Sequence, residues 1–237
     1  MAGFFITGTD TGVGKTRVTV ALMRFLQAQG LTVVGMKPVA SGCFLHEGEW
    51  RNEDALLLQE SGSFPVDYAK LNIYAFGPPV SPHLAARQAG QLVRLDKILS
   101  RCRELERLAN CVLVEGVGGW EVPLNDNERL SHLAMRLKLP VILVVGMRLG
   151  CLNHALLTHE AMLRAGVVCA GWIANCVEAG FPYLEENIAT LRFALASPCL
   201  GIIPHVGCQQ PDGSWKCFTS GEFFQGSREE ILRRLPI

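Results

Sequence analysis

Short apolar runs rich in β-branched residues alternate with amphipathic stretches along most of the chain. The runs have the length and composition of strands that are buried on both faces. Such strands are predicted at Phe4–Thr7, Thr32–Met36, Cys111–Val114, Val141–Val145, Val168–Ala174 and Leu200–Ile203. Helices are predicted between them, at Lys15–Ala28, Asp54–Glu60, Pro82–Arg87, Leu95–Leu108, Leu130–Leu137, Asn153–Ala165 and Tyr183–Leu195. This alternation predicts an α/β fold, with a mostly parallel sheet covered by helices on both faces.

A glycine-rich segment joins the first predicted strand to the first predicted helix, and it reads Gly8-Thr9-Asp10-Thr11-Gly12-Val13-Gly14-Lys15-Thr16. In that context backbone N–H groups and a helix dipole converge on phosphates, a lysine reaches the outer phosphates, and a threonine hydroxyl ligates Mg²⁺. The usual motif has four residues between its first glycine and Gly-Lys-Thr, whereas five follow Gly8. The alternative is that Thr9 occupies the first glycine position. Either alignment predicts a nucleoside triphosphate site on a P-loop NTPase-like fold.

Length and charge fit one compact domain and exclude several kinds of partner. The 237 residues can bury a large core without dividing, so residues 1–237 are expected to form a single domain, although residues 209–237 carry no interpretable signal beyond surface loop. Basic and acidic residues number 22 each, which favours neither nucleic acid nor an anionic membrane surface. The longest apolar run, Leu139–Val145, is too short to span a bilayer, and the N-terminus lacks the basic region of a signal peptide.

Nine cysteines form an odd set without a Cys-x-x-Cys pair. Most of them stand beside apolar residues, as at Cys111, Cys169 and Cys199. We therefore expect small core side chains in a reducing cytoplasm rather than disulfides or a zinc site.

Charged residues follow two of the predicted strands, where ligands of a parallel sheet gather. Lys37 follows the second strand, and only six of the 22 basic residues are lysines. Its point charge suits phosphate or carbamate oxygens, an ordinary solvated lysine being the alternative. Glu115 ends the third strand, where P-loop enzymes usually place a Mg²⁺-binding aspartate. Asp54 stands at a predicted helix start and is either a further metal ligand or a charge that serves the helix dipole.

Two helix starts are candidates for polar ligands. Ser81 and Pro82 form a good N-cap and first position, which is a structural role by default. Residues 148–153 follow the strand Val141–Val145, and free N–H groups there could receive a carboxylate. Simple capping explains Asn153 equally well.

Taken together, these motifs resemble the ATP-dependent dethiobiotin synthetases. Beside the phosphate loop, the matching segments are Lys37-Pro38-Val39-Ala40-Ser41-Gly42, Ser81-Pro82-His83, Val114-Glu115-Gly116-Val117-Gly118-Gly119-Trp120, Leu149-Gly150-Cys151-Leu152-Asn153-His154 and Ala170-Gly171-Trp172-Ile173-Ala174-Asn175. They run in the family's order from the start of the chain to about Pro204. The resemblance implies a cytoplasmic homodimer of biotin biosynthesis that joins CO₂ to 7,8-diaminononanoate with cleavage of ATP.

The resemblance also implies residue roles. Lys15 and Lys37 are the expected catalytic residues, and the expected Mg²⁺ ligands are Thr16, Asp54 and Glu115. Nucleotide contacts are expected from Gly12, Val13, Gly14, Lys15, Thr16, Arg17, Asp54, Glu115, Gly116, Val117, Gly118, Asn175, Cys176, Pro204, His205 and Val206. Thr11 and Ser41 are expected to face the diamine. Its distal carboxylate is expected at Gly150, Cys151 and Asn153 of the neighbouring subunit.

One difference from the family's sequence and two other protein classes limit how far the family's properties can be assigned to this chain. Cys176 stands where the family often has aspartate, which puts purine selectivity in question. A dimeric P-loop ATPase of the division-site or partition type is one rival, but it would carry a further lysine near Thr9 and Asp10. An amidating ligase of the cobyrinate type is the other, and this chain has no room for its glutaminase domain.

Overall fold

The computed structural model describes residues 2–205, so Val206 and residues 209–237 lie outside the described residues. The strands are β1 (Ala2–Gly8), β2 (Val33–Met36), β3 (Val39–Ser41), β4 (Phe44–His46), β5 (Glu49–Arg51), β6 (Tyr74–Phe76), β7 (Cys111–Glu115), β8 (Val141–Met147), β9 (Cys169–Cys176) and β10 (Cys199–Ile203). The helices are α1 (Lys15–Ala28), α2 (Glu53–Glu60), α3 (Tyr68–Leu71), α4 (Pro82–Gln88), α5 (Leu95–Glu106), α6 (Leu130–Leu137), α7 (Cys151–Arg164) and α8 (Leu184–Ala194). No helix within residues 2–205 combines the length and apolar character needed to cross a membrane.

Six strands form one parallel sheet in the order β10-β9-β8-β1-β7-β2. The first strand of the chain therefore lies inside the sheet, between two strands that come more than a hundred residues later. All six predicted strands belong to this sheet, and the predicted P-loop NTPase-like α/β fold is confirmed.

The alternation of side chains along β1 explains why both faces of the sheet are covered. Phe4 and Ile6 belong to a buried cluster that includes Leu22 of α1. Phe5 points to the opposite cluster, to which Ile98 of α5 and Leu133 of α6 contribute. Because successive strand residues point to opposite faces, a strand that is apolar throughout requires helices on both sides.

The sequence analysis missed the small elements between β2 and α4. A two-stranded parallel sheet (β3 with β6), the hairpin β4–β5 and the four-residue helix α3 occupy this region. Elements of three or four residues are too short to show a periodicity of two or 3.6 residues. The strands of the hairpin are largely exposed, which also removes the apolar signal.

Two predicted boundaries are wrong in ways that affect the site. α7 begins at Cys151 rather than Asn153, because Gly150 adopts a left-handed φ of 92° as its N-cap. β9 continues through Asn175 and Cys176, which the prediction had placed after the strand. The predicted start of α4 is confirmed, with Ser81 as N-cap and Pro82 as the first helical residue.

The seven cysteines within residues 2–205 are free thiols. Burial raises the pKa of the Cys102 and Cys111 thiols to about 12, with Glu106 adding to the effect at Cys102. These two side chains therefore behave as small core groups rather than as nucleophiles.

Candidate active site

Three neighbouring strands bring the predicted functional groups to one edge of the sheet. β1, β7 and β2 are adjacent and parallel, so their carboxyl ends lie together. The phosphate loop follows β1, Glu115 ends β7 and Lys37 follows β2. α2, which packs against β2, adds Asp54 from its first turn.

The phosphate loop, residues 9–14, is held by a side chain of β9. Asn175 donates its side-chain N–H to the carbonyl of Val13 at 2.8 Å. Gly14 is the N-cap of α1 with a left-handed φ of 82°, and a Cβ on it would lie 2.1 Å from Asn175 Nδ2. Only glycine fits here, because both the backbone angle and the space exclude a side chain.

The structure shows where Gly8 and Thr9, the two candidates for the first position of the motif, lie. Gly8 is the last residue of β1, and a Cβ on it would lie 2.6 Å from Val13 Cγ2. Thr9 donates its backbone N–H to Val144 O at 3.1 Å. Gly8 therefore packs closely against Val13 of the loop, and Thr9 is held by the neighbouring strand β8.

Lys15 lies almost fully buried beneath the loop. Its ammonium donates to the carbonyls of Asp10 at 2.9 Å and Gly118 at 2.7 Å. Burial lowers its pKa from 10.5 to about 8, although Glu115 pulls the pKa the other way. An incoming phosphate would favour the charged form, so this lysine is suited to bind anions and to couple their binding to proton uptake.

Lys37, Asp54 and Glu115 form the charged centre of the site. Lys37 Nζ lies 2.8 Å from Glu115 Oε1 and is also paired with Asp54 Oδ2. Lys37 and Glu115 are buried, and Asp54 is partly exposed. Burial by itself disfavours the ammonium, but the two carboxylates outweigh it and raise the pKa of Lys37. Burial likewise opposes the Asp54 carboxylate, yet Lys37 holds the pKa of Asp54 below its usual value. Lys37 and Asp54 therefore each favour the charged form of the other.

The predicted magnesium ligands fit a hard divalent cation. Thr16 Oγ1 donates to Glu115 Oε1 at 2.8 Å, and Asp54 and Glu115 both pair with Lys37. Glu115 Oε2 is buried, and no group among residues 2–205 hydrogen-bonds to it. Carboxylate and hydroxyl oxygens are the ligands that Mg²⁺ prefers, and a buried carboxylate oxygen without a partner favours a cation.

The far end of the site contains the residues expected at the nucleotide base. Arg17 donates to the carbonyl of Pro204 at 2.8 Å, and Asn175 Oδ1 is buried without a hydrogen-bond partner among residues 2–205. Cys176 is buried beside it, and burial raises the pKa of its thiol while the Arg17 guanidinium lowers it. His205 is exposed. Val206 lies outside the described residues.

The loop after β7 packs on the phosphate loop. Gly116 donates its N–H to Ile6 O at 2.9 Å, and Val117 packs partly buried on the core. A Cβ on Gly118 would lie 3.6 Å from Thr11 Oγ1. Of the predicted nucleotide residues in this loop, Gly118 thus lies beside the phosphate loop, and Gly116 is fixed to β1. Elsewhere, Ser41 ends β3 half-buried.

The candidate carboxylate site lies at the start of α7, which follows β8. The Cys151 side chain is buried in the core, and its backbone N–H already donates to Arg148 O at 3.0 Å. Cys151 was predicted to bind the substrate carboxylate, but neither its side chain nor its backbone N–H is free to do so. Asn153 is exposed in the first turn of α7, and Gly150 precedes it as the N-cap.

Asp10 and Arg148 link the phosphate loop to the start of α7, and the sequence analysis gave neither a role. Arg148 Nη2 lies 2.6 Å from Asp10 Oδ2, and Asp10 Oδ1 accepts the N–H of Thr11 at 2.7 Å. The two residues are 138 positions apart, so no local pattern could have paired them.

The parallel sheet, the phosphate loop at the start of α1 and the acidic strand end of β7 define a P-loop nucleotide-binding domain. A family model described as an AAA domain matches residues 2–208. The curated relatives are named ATP-dependent dethiobiotin synthetase BioD. The chain is 48% identical over 211 residues to that of Cellvibrio japonicus, covering 89% of this chain and 92% of the relative. Over 201 residues it is 50% identical to that of Xanthomonas oryzae pv. oryzae, covering 85% and 90%. The chain belongs to the ATP-dependent dethiobiotin synthetase family, as the sequence motifs predicted.

Solved structures support the fold alone. The signal recognition particle receptor FtsY of Elizabethkingia anophelis matches with a TM-score of 0.50 at 15% identity, covering 92% of this chain and 63% of the receptor chain. The cell division protein FtsY of Thermotoga maritima matches with a TM-score of 0.50 at 16% identity, covering 86% and 62%. The chain thus spans less than two thirds of these structural neighbours.

Proposed function

We propose that this protein is an ATP- and Mg²⁺-dependent cyclo-ligase that converts 7,8-diaminononanoate and CO₂ to dethiobiotin in biotin biosynthesis. The observation that carries the proposal is the position of Lys37. Its buried ammonium lies 2.8 Å from Glu115 at the edge of the sheet that also carries the phosphate loop. A fixed cation beside a triphosphate site is suited to an anionic acceptor and to the charge that develops during phosphoryl transfer.

The proposed reaction proceeds in three bond-forming steps. One amine of the diamine adds to CO₂ and loses a proton, giving a carbamate. A carbamate oxygen attacks the γ-phosphorus of ATP, and ADP leaves. The second amine attacks the carbonyl carbon of the resulting carbamic–phosphoric anhydride, and inorganic phosphate leaves as the cyclic urea closes. Each turnover therefore gives one dethiobiotin, one ADP and one phosphate.

Within this reaction the two lysines have different tasks. Lys15, held beneath the loop by Asp10 and Gly118, would move to the transferring phosphoryl group and regain full charge there. Lys37 would bind the carbamate oxygens and stabilise the charge that builds between carbamate and phosphorus. Phosphoryl transfer needs such alignment and neutralisation more than covalent help from the protein.

Mg²⁺ fits the oxygens of Thr16, Asp54 and Glu115, and would neutralise phosphate charge when bound. Asn175, through its unpartnered buried Oδ1, is suited to accept a hydrogen bond from the amino group of adenine.

The diamine is proposed to lie between the charged centre and a second subunit. Thr11 and Ser41 would face the reacting amines. The distal carboxylate would bind at Gly150 and Asn153 of the partner chain, which makes the enzyme a homodimer with shared sites. We further propose one ligase domain over residues 1–237 and a cytoplasmic location.

A single assay tests the proposal. Purified protein is incubated with Mg-ATP, bicarbonate and diaminononanoate, and the products are identified by mass. ADP and dethiobiotin should appear in equal amounts and only when both bicarbonate and the diamine are present. Brisk ATP turnover that the diamine leaves unchanged would overturn the ligase and favour an ATPase switch.

A further inference from the structure

Lys37 is held at both its backbone and its side chain by polar groups on the neighbouring short elements. Its backbone N–H donates to Leu71 O at 3.0 Å, and its carbonyl accepts from Asn72 Nδ2 at 2.6 Å. Its ammonium pairs with Asp54 in the first turn of α2. The backbone of Lys37 is thus held by the end of α3, and its ammonium is held by α2.

Tyr68 joins these two elements. Its hydroxyl accepts the backbone N–H of Asn52 at 2.8 Å and donates to Asn72 Oδ1 at 3.0 Å. Asn52 is the N-cap of α2, and its side chain accepts the N–H of Ala55 at 3.2 Å. The circuit therefore runs from the Lys37 backbone through Asn72, Tyr68 and the start of α2 to Asp54, and back to the Lys37 ammonium.

Every connecting residue of this circuit is buried. The exposed fractions are 8% for Asn52, 7% for Tyr68 and 5% for Asn72, against 5% for Lys37 itself. In such surroundings a polar group that loses its partner cannot recover it from water. Fully satisfied buried networks rigidify the groups they contain.

From this circuit we infer that Tyr68 and Asn72 are positioning residues for the ligase reaction: together they fix Lys37 and Asp54 relative to each other. The inference rests on the proposed function, in which Lys37 binds the carbamate oxygens and stabilises the charge between carbamate and phosphorus. Neither residue touches the reacting atoms; both act through Lys37 and Asp54. A small displacement of an aligned catalytic group is enough to cost a large factor in rate.

The test compares two tyrosines that make the same kind of hydrogen bond. Tyr68→Phe removes only the hydroxyl, which accepts the N-cap N–H of α2 and donates to Asn72 Oδ1. Tyr74→Phe is the matched control, because Tyr74 is 5% exposed and its hydroxyl accepts the N–H of Arg94, the N-cap of α5, at 3.0 Å. Each ring also has a cation above it, Arg51 at 4.3 Å for Tyr68 and Lys97 at 5.2 Å for Tyr74.

We expect Tyr68→Phe to lower kcat by about tenfold or more, with the KM for ATP changed less than about threefold. Tyr74→Phe should stay within about twofold of wild type, although it loses a comparable buried hydrogen bond. In the Lys37→Ala background, Tyr68→Phe should change the residual rate by less than about twofold, because the Lys37–Asp54 pair whose geometry it fixes is already lost. If Tyr68 had a purely structural role, Tyr68→Phe would lower the rate by the same factor in the wild-type and in the Lys37→Ala protein.

Three results would overturn the inference. They are a kcat of Tyr68→Phe within twofold of wild type, equal losses in Tyr68→Phe and Tyr74→Phe, and an equal loss in the Lys37→Ala background. If Tyr68→Phe does not fold, Asn72→Ala breaks the circuit at its other bond and is judged by the same outcomes.

Failure of the proposed function is separate. A wild-type protein without diamine-dependent product would refute the ligase, and amide hydrogen exchange would then judge the circuit. Tyr68→Phe should speed exchange in both segments 33–41 and 52–60, and Tyr74→Phe in neither. Unchanged exchange in the Tyr68→Phe protein would refute the circuit.

Discussion

Lys37 Nζ and Glu115 Oε1 lie 2.8 Å apart, and both side chains are buried at the ends of neighbouring strands. The Lys37 ammonium pairs with two carboxylates, Glu115 and Asp54, which together raise its pKa. Removing one partner from such a pair leaves an uncompensated buried charge, which costs far more than the pair itself contributes.

Lys37→Ala should chiefly lower kcat, by a factor equivalent to roughly 2–4 kcal/mol of barrier, as for other preorganised charged groups. The KM for ATP should change much less, because the phosphate loop is intact. Steady-state kinetics with Mg-ATP and diamine measure both, and thermal unfolding confirms that the variant is folded. The exposed Lys97→Ala is the control. A near-normal kcat in Lys37→Ala would show that Lys37 does not contribute to catalysis.

Lys15 should make ATP binding depend on pH above about 8. Its pKa is about 8 in the ligand-free protein, so the ammonium is increasingly neutral at higher pH and each binding event takes up a proton. The Kd for ATP should therefore rise above pH 8, approaching about tenfold per pH unit. Calorimetry in buffers of different ionisation enthalpy measures both the affinity and the proton. Lys15→Arg, always charged, should bind with little pH dependence. A pH-independent Kd in the wild type between pH 8 and 9.5 would contradict this assignment.

The same lysine affects folding with the opposite sign. Its pKa is about 8 in the folded chain and 10.5 in the unfolded chain, so between these values the unfolded state binds more protons. Stability contributed by this group therefore rises with pH across that window and is constant below it. Urea unfolding should show a less positive pH slope for Lys15→Met than for wild type between pH 8 and 10. Equal slopes would show that Lys15 titrates normally.

Two glycines of the phosphate loop separate backbone strain from collision. Gly14→Ala meets both a φ of 82° and the Asn175 amide at 2.1 Å, whereas Gly12→Ala meets a φ of 73° with no atom within 4 Å. The left-handed angle alone costs about 1–2 kcal/mol. Gly14→Ala should cost clearly more in chemical denaturation, because Asn175 must also release Val13. Equal losses of unfolding free energy in the two variants would show that Asn175 moves away from Gly14 at no cost.

Nucleotide selectivity tests the departure at Cys176. We expect ATP to be used, with CTP and GTP tolerated better than by a relative that has aspartate at this position. The Cys176→Asp variant should therefore discriminate more strongly against CTP and GTP than wild type, whereas Cys176→Ser should not. Ratios of kcat/KM for the three nucleotides are the measurement. Strict exclusion of CTP and GTP by the wild-type protein would contradict the expectation.

Shared active sites predict complementation between two inactive variants. Lys37→Ala and Asn153→Ala damage different chains of one site if the α7 start serves the partner. In a 1:1 mixture with random exchange, about half of the dimers are mixed, and each contains one intact site, so about one quarter of all sites should recover. Activity after verified subunit exchange is the measurement. Recovery that does not exceed the average of the two variants would place the carboxylate site within one chain.

Most of the fold could be predicted from the sequence because buried parallel strands consist of continuous runs of apolar residues. The sequence also predicted the charged centre, since the ends of parallel strands meet at one edge and Lys37 and Glu115 follow such strands. Tyr68 and Asn72 stayed hidden, because a short helix has no periodicity and their partners are set by tertiary structure. The start of α7 was misplaced because Gly150, not the better-known capping residue Asn153, adopts the N-cap conformation.

The position of β1 inside the sheet has a consequence for the order in which the chain is made. Thr16 reaches its partner Glu115 across 99 residues, and Lys15 reaches Gly118 across 103. The phosphate loop is thus synthesised first, whereas the strands on either side of β1 follow much later, β7 at Cys111–Glu115 and β8 at Val141–Met147. Because contacts so distant in sequence form late, a nascent chain that ends before β7 carries the complete phosphate-binding motif without the means to hold it in shape. Nucleotide binding should therefore begin only when more than half of the protein has been translated.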